Sequence, residues 1–231
     1  MSGDRPKFAP KAIVFDLDGT LVDSAPEIRT ALNAALAPVG IEPFPLSEVQ
    51  GFVGGGAAVA LRRALTVRGR DLDDQAFKNV LAAFYEVYAE VSKEGNGLYP
   101  GVVETLTTLR ERGIPIGVCT NKAAHITEIA LEALRIRAFF SAVIGARDDI
   151  PRKPAPDMLL KVLAELGAAP VAGLVVGDSK SDVGSARAAG CPMIAVSYGY
   201  PHGPVAALGA DLVIDRMTDL LGHLTLPSKA N

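Results

Sequence analysis

Four apolar residues at positions 12–15 run without a break into Asp16-Leu-Asp18-Gly19-Thr20, with Asp23-Ser24 close behind. An uninterrupted apolar run that ends on a turn signal predicts a strand buried on both faces, as at the centre of a parallel sheet. Side chains two positions apart in an extended segment point the same way. Asp16 and Asp18 therefore leave the carboxyl end of the strand towards one place, provided the extended geometry persists through Asp18. Two carboxylates held together are costly unless a cation or a reaction uses them. On these residues alone, a turn at Asp18-Gly19 with Asp16 as a capping residue is the alternative.

The remainder of the chain divides into two kinds of pattern. Residues 23–94 read as helical: 25–39 closed by Gly40, a start at Leu46-Ser47-Glu48 with Ser47 as N-cap, 57–66 and 75–93. The Gly-rich stretch Gly51-Phe-Val-Gly54-Gly55-Gly56 interrupts them. From Tyr99-Pro100-Gly101 onward, strands at 114–119, 142–144, 173–176, 193–196 and 212–214 alternate with helices at 102–112, 126–134, 156–166 and 181–189. A final helical segment follows. That alternation predicts crossover units and a parallel sheet with helices on both faces. The division is thus a discontinuous α/β core, residues 1–22 and 95–231, with a helical insertion at 23–94. With 231 residues of which 49% are hydrophobic, a core of that size can be filled.

In such sheets ligands sit outside the carboxyl ends of the strands. The polar groups that directly follow predicted strands are Asp16 and Asp18, Thr120 and Asn121, and Asp178. Three strands thereby deliver acidic or polar groups to one edge. Such a set suits a hard divalent cation with a phosphate, because Mg²⁺ prefers a few carboxylates, water and substrate phosphate. Lys153, between Arg152 and Pro154-Ala-Pro156, is a candidate phosphate ligand on a backbone that proline restrains. The net charge of −3 gives no basic field for nucleic acid or an anionic membrane, and no apolar run approaches a membrane span. The first ten residues are polar, without a hydrophobic signal segment, and Cys119 and Cys191 sit inside apolar runs. A cytoplasmic protein is the expectation.

The motifs Asp16-Leu-Asp18-Gly19-Thr20, Thr120-Asn121, Lys153-Pro154 and Gly177-Asp178-Ser179-Lys-Ser-Asp182 resemble, in order and spacing, the four motifs of the haloacid dehalogenase superfamily. The insertion is similar to that superfamily's C1 cap, and the likeness runs from Lys11 to about Leu221. Within the superfamily, residues 43–65, Tyr99-Pro100-Gly101, Val118-Cys119-Thr120-Asn121-Lys122 and Tyr198-Gly199-Tyr200 look most like phosphoglycolate phosphatases. The resemblance implies a Rossmannoid core in a three-layer sandwich with a small helical cap.

The resemblance also implies a division of labour. Asp16 would be the nucleophile that forms an aspartyl-phosphate, and Asp18 the acid and then the base. Asp16, Asp178 and the Asp18 backbone carbonyl would hold Mg²⁺. Thr120, Asn121 through its backbone, and Lys153 would hold the phosphoryl group. Asp182 would stand behind them, on Lys153 or on metal-bound water. An aspartate at position 18 favours phosphoester hydrolysis or transfer over dehalogenation, and the Gly-Asp-Ser-x-x-Asp motif favours a hydrolase over a phosphoglucomutase-like enzyme. The expected substrate is a small phosphomonoester, 2-phosphoglycolate first, with a sugar phosphate, nucleoside monophosphate or pyrophosphate as alternatives. A non-catalytic phosphate-binding protein ranks last, since every motif carboxylate is present. Specificity falls to the insertion, through Gly54, Gly55 and Gly56 as a closing loop and Arg62 or Arg63 as a cation for a substrate carboxylate. His125, His202 and His223 share no metal spacing and read as structural or surface residues. A monomer or a homodimer is compatible with this reading. Ala146 stands where the resemblance leads one to expect Gly.

Overall fold

A computed structural model describes residues 8–95 and 97–227, so residues 1–7 of the polar N-terminal segment lie outside the described residues. The strand predicted at the start is β1 (Ala12–Phe15), completely buried. It pairs in parallel with β2 (Ile116–Ala123) on one side and β4 (Gly173–Gly177) on the other. With β3 (Ala142–Ala146), β5 (Met193–Val196) and β6 (Leu212–Ile214), the described strands form a six-stranded parallel sheet in the order β3-β2-β1-β4-β5-β6. Alternation along β1 divides the interior. Ile13 and Phe15 face a core with α5 (Val102–Glu111) and the end of α6 (Ala124–Ala133). Ala12 and Val14 face a second core with α7 (Asp157–Glu165) and α8 (Lys180–Ala189). Helices thus cover both faces of the sheet in three layers.

The helical insertion has its own apolar centre. Within it, α1 (Ala25–Leu36), α2 (Leu46–Gln50), α3 (Ala57–Val67) and α4 (Asp74–Val91) gather Leu32, Leu61 and Phe84 with few contributions from elsewhere, chiefly Ile126 and Tyr200. The two crossings between insertion and core are tied to each other. Asp23 N–H donates to the Gly97 carbonyl at 2.7 Å, and Tyr99 N–H to the Leu21 carbonyl at 3.0 Å. The Arg68–Asp74 segment braces this unit from its surface. Arg68 pairs with Glu48 at 3.0 Å and lies 3.8 Å over the Phe44 ring, while Asp73 caps α4 by accepting from Ala76 N–H at 2.8 Å.

Two local expectations need correction. Ser47 does not cap α2; Pro45 does, with extended backbone, and its carbonyl accepts from Glu48 and Val49. The cause is Asn33, whose side chain holds both backbone groups of Phe44 and thereby sets where the helix starts. Strand β2 begins later than residue 114 and runs on through Ala123. Its pairing with β3 breaks between Cys119 and Ala123, so Thr120, Asn121 and Lys122 stand out of the ladder while the strand continues. Ala146 closes β3 opposite Ala123, and the departure from Gly leaves the strand intact. A short α9 (Asp219–Gly222) ends the fold. No helix among the described residues is long and apolar enough to cross a membrane.

Candidate active site

Beyond Phe15 the chain bends at Leu17, and Asp18 forms a backbone bridge with Val22. Gly19 permits this turn, with φ +86; a Cβ there would lie 2.2 Å from an Asp178 carboxylate oxygen. The bend separates the two opening aspartates. Asp16 joins Asp178 and Asp182, all three buried, with one carboxylate oxygen of each within 4.8 Å of the others. The Asp18 carboxylate lies outside that group and instead accepts from Lys122 Nζ at 3.1 Å. A metal role for Asp18 thus rests on its backbone carbonyl alone.

Lys153 is the counter-ion of the acidic group. Its ammonium donates to Asp16 at 2.8 Å, to Asp182 at 2.6 Å and to the Cys119 carbonyl at 2.7 Å, which uses all three of its protons. Asp182 is fixed in turn by a capping box at the start of α8. Its carboxylate accepts from Ser179 N–H at 3.0 Å and from the Ser179 hydroxyl at 2.5 Å. Asp178, at the end of β4, accepts from Tyr200 N–H at 2.6 Å and from Thr20 at 3.4 Å. One ammonium does not offset three buried carboxylates. Burial, then Asp182, push the Asp16 carboxyl up to about 7 despite the ammonium beside it. Burial and the same neighbour push Asp178 well above its ordinary range. Proximity to Asp16 and Asp182 holds Lys153 charged against its burial. A hard oxygen-binding dication fits this donor set, because it supplies the positive charge that the group lacks. Burial raises the Cys119 thiol to about 12, which leaves it inert.

Thr120 is buried, and its hydroxyl accepts from Lys122 N–H at 3.2 Å, where β2 departs from its pairing with β3. The Asn121 side chain donates to the carbonyls of Gly54 at 3.2 Å and Lys153 at 3.0 Å. It therefore stitches the Gly-rich loop of the insertion to the lysine loop of the core. Gly56, with φ +84, approaches so closely that a Cβ would lie 2.9 Å from the Asn121 carbonyl. Gly55 has Val59 in that position at 2.7 Å. Arg63 does not face this space. Its guanidinium donates to the carbonyls of Phe52 at 3.0 Å and Val53 at 3.1 Å, and His202 reaches the Val53 carbonyl at 2.9 Å. His202 thus bonds the loop from the core side, as Asn121 does. Arg62 stacks on Phe77 at 4.2 Å.

Lys122, quoted in the sequence with its neighbours but given no task there, is buried where insertion meets core, between Asp18 and the hydroxyl of Tyr88. Tyr88 and Tyr200 likewise take no role from the sequence alone. The one available signal was the period of two from Thr120, which puts Lys122 on the same side of the chain. Tyr200 accepts from Ala25 N–H at 3.0 Å at the start of α1 and donates to Asp23, so a residue bonded to Asp178 also bonds the crossing.

Residues 13–196 match the model of the haloacid dehalogenase-like hydrolase family. The chain belongs to that family. It is 41% identical over 220 residues to a phosphoglycolate phosphatase of Pseudomonas putida, covering 94% of this chain and 80% of that protein. It is 38% identical to the phosphoglycolate phosphatase of Escherichia coli K12, covering 96% and 95%. A crystal structure described as a predicted phosphoglycolate phosphatase from Haemophilus somnus superposes with a TM-score of 0.85 at 33% identity, covering 92% and 96%.

Proposed function

We propose that this family member is a Mg²⁺-dependent 2-phosphoglycolate phosphatase that works through an aspartyl-phosphate on Asp16. The broader statement, a phosphomonoester hydrolase, rests on family membership and on the named relatives. The observation that carries the mechanism is the buried group of Asp16, Asp178 and Asp182 around the Lys153 ammonium, at the carboxyl ends of β1 and β4. Asp16, Asp178 and the Asp18 carbonyl would hold the metal. When bound, Mg²⁺ would offset carboxylate repulsion and the charge developing on the phosphoryl oxygens.

In this reading Asp16 attacks phosphorus in line, forming an oxygen–phosphorus bond as the bond to the substrate alkoxide breaks. Asp18 gives that alkoxide its proton, then takes one from the water that cleaves the acyl phosphate and returns Asp16. Thr120 and the amide that follows it orient the transferring group, and Lys153 would join them by giving up one of its three present acceptors. The Asn121 side chain positions Lys153 and the loop of the insertion. The space beneath the insertion is lined by Asp18 and Lys122 on the core side and by Phe84 and Tyr88 on the insertion side, so the insertion faces the leaving group. Two buried free thiols, Cys119 and Cys191, suit a reducing compartment, in keeping with a cytoplasmic enzyme.

The test is an assay of the purified protein with Mg²⁺ against a panel of phosphomonoesters, beside Asp16→Asn. Wild type should release phosphate fastest from 2-phosphoglycolate, and the variant should lose at least about 10³-fold in kcat, as expected for loss of a covalent nucleophile. Turnover confined to sugar phosphates removes the substrate assignment. Equal inactivity of both proteins on every ester removes the catalytic one.

A further inference from the structure

We propose that Lys122 is the residue that recognises the substrate's carboxylate, with the Tyr88 hydroxyl as its partner from the insertion. The proposal rests on the reading above, that the substrate is a small phosphoacid, and it assigns the group that distinguishes such an acid from a neutral ester. Of the two arginines to which the sequence directs this task, Arg62 stacks on Phe77 and Arg63 is taken up by the loop. Structure gives the Arg63 guanidinium to two backbone carbonyls, which anchors the loop and leaves the recognition of an anion to another cation.

Asp18, Gly54, Gly56, Phe84, Tyr88 and Lys122 are among the residues lining the cavity between insertion and core. Among the described residues that line it, Lys122 is the one cation. Arg152, whose guanidinium would lie 3.3 Å from a Cβ at Gly56, is about one-third exposed and faces Asp148 at 3.7 Å. Lys122 itself is 5% exposed. A buried ammonium needs a reason to be there, since burial disfavours its charge unless acceptors surround it. Its partners are Asp18, at 3.1 Å, and the Tyr88 hydroxyl, with the Tyr88 ring 4.0 Å away. The walls otherwise include Ile28, Ala60 and Phe84, so an anion entering this space finds one strong donor and little competing water.

Chain length fits the position. Asp18 is the proton donor to the leaving oxygen in the proposed mechanism, so that oxygen lies beside the Asp18 carboxylate. In a two-carbon phosphoacid the carboxylate carbon is only two bonds from that oxygen. Lys122 Nζ, 3.1 Å from Asp18, is therefore in the neighbourhood that the carboxylate must occupy. A longer sugar phosphate would place a hydroxyl there, which gains far less from an ammonium. The insertion takes part because Tyr88 belongs to α4, so the carboxylate site is complete only when the insertion lies against the core.

Calorimetric binding with Mg²⁺ tests this on the Asp16→Asn protein, which would leave the ester uncleaved. The ligands are 2-phosphoglycolate and ethyl phosphate, which keeps the phosphate and lacks the carboxylate. The acid should bind about 10- to 100-fold tighter than ethyl phosphate, the range of one charge-assisted contact. Adding Lys122→Met should collapse that ratio to about threefold or less while ethyl phosphate binds as before. Lys122→Arg, which keeps the charge, should retain most of the preference. An unchanged ratio in the Met variant overturns the proposal, and so does the absence of any preference while Lys122 is intact. An equal loss for both ligands also overturns it, since Lys122 would then serve Asp18 or the fold. Should the Met variant fail to fold by circular dichroism, Lys122→Gln is judged by the same criteria. Failure of the hydrolase reading is separately visible, as wild type leaving both esters intact while the binding ratio still follows Lys122.

Discussion

Lys153 holds three acceptors at once, two of them carboxylates that would otherwise face each other in a dry space. Removing one partner of a buried ionic group costs about 3–5 kcal/mol, because the remaining charge is left without compensation. Lys153→Met should therefore lower unfolding free energy by about that amount above pH 7, in the absence of metal. Below pH 6 the loss should shrink, since Asp16, already raised to about 7, can take up a proton instead. Urea denaturation with EDTA at both pH values checks this, and an equal loss at both would mean that Lys153 matters for packing rather than charge. Lysine at 153 was legible as a phosphate ligand from its proline-bounded segment, but not its burial or its saturation. Those depend on β2 supplying the Cys119 carbonyl and on the Ser179–Asp182 capping box, contacts that no local pattern encodes. Lys122 was overlooked for a related reason. Strand β2 was expected to end before it, whereas the strand continues past a break in pairing and carries Lys122 into the space under the insertion.

The Gly-rich loop joins α2 to α3 and bears on the core through Asn121 and His202. A run of glycines was readable in the sequence as a place of close backbone approach, and that is what it provides. The partner was not readable, because the approach is to the Asn121 backbone and not to a ligand. Gly56→Val would put a side chain against that carbonyl, where a Cβ alone would lie 2.9 Å away, at a φ of +84 that valine resists. The backbone strain is present wherever the loop sits, but the clash arises only against the core. The substitution should thus raise KM for 2-phosphoglycolate about 10-fold or more, through a penalty of 1–2 kcal/mol on closure, while Mg²⁺ affinity stays within about twofold. Steady-state kinetics and Mg²⁺ titration separate the two. An unchanged KM would show that the loop does not close over the substrate. Ser47 marks the opposite case, where a sound local rule lost to a tertiary one. Asn33, eleven residues upstream of Phe44, fixes the entry of α2 at Pro45 and leaves the serine inside the helix.

Across the whole molecule, the alternation of apolar runs and amphipathic helices gave the class of fold, because a sheet covered on both faces needs strands apolar on both. The strand order did not follow from the pattern, yet the order places β1 between β2 and β4 and so brings their three ends together. The same convergence loads the interior with negative charge, and this has a consequence for the stability of the entire fold. Asp16 rises from 3.8 to about 7 on folding, and Asp178 shifts the same way. Between those pH values the folded chain binds more protons than the unfolded one, so stability falls as pH rises, and the share that Asp16 carries is lost by about pH 7. Lys153 does not alter the sign, since its proton stays bound in both states throughout this window. A bound dication reverses the balance, because it favours the ionised carboxylates and binds the folded state alone. In EDTA the Tm should thus fall by roughly 5–15 °C between pH 5.5 and pH 8, the equivalent of a few kcal/mol in a chain of this size. Saturating Mg²⁺ should restore most of that loss at pH 8 and add little at pH 5.5, where protons already do part of its work. Differential scanning calorimetry in the four conditions reads both effects. A Mg²⁺ shift of the same size at both pH values would mean that the ion does not act through these carboxylates, and the assignment of Asp16 and Asp178 as its ligands would fall with it.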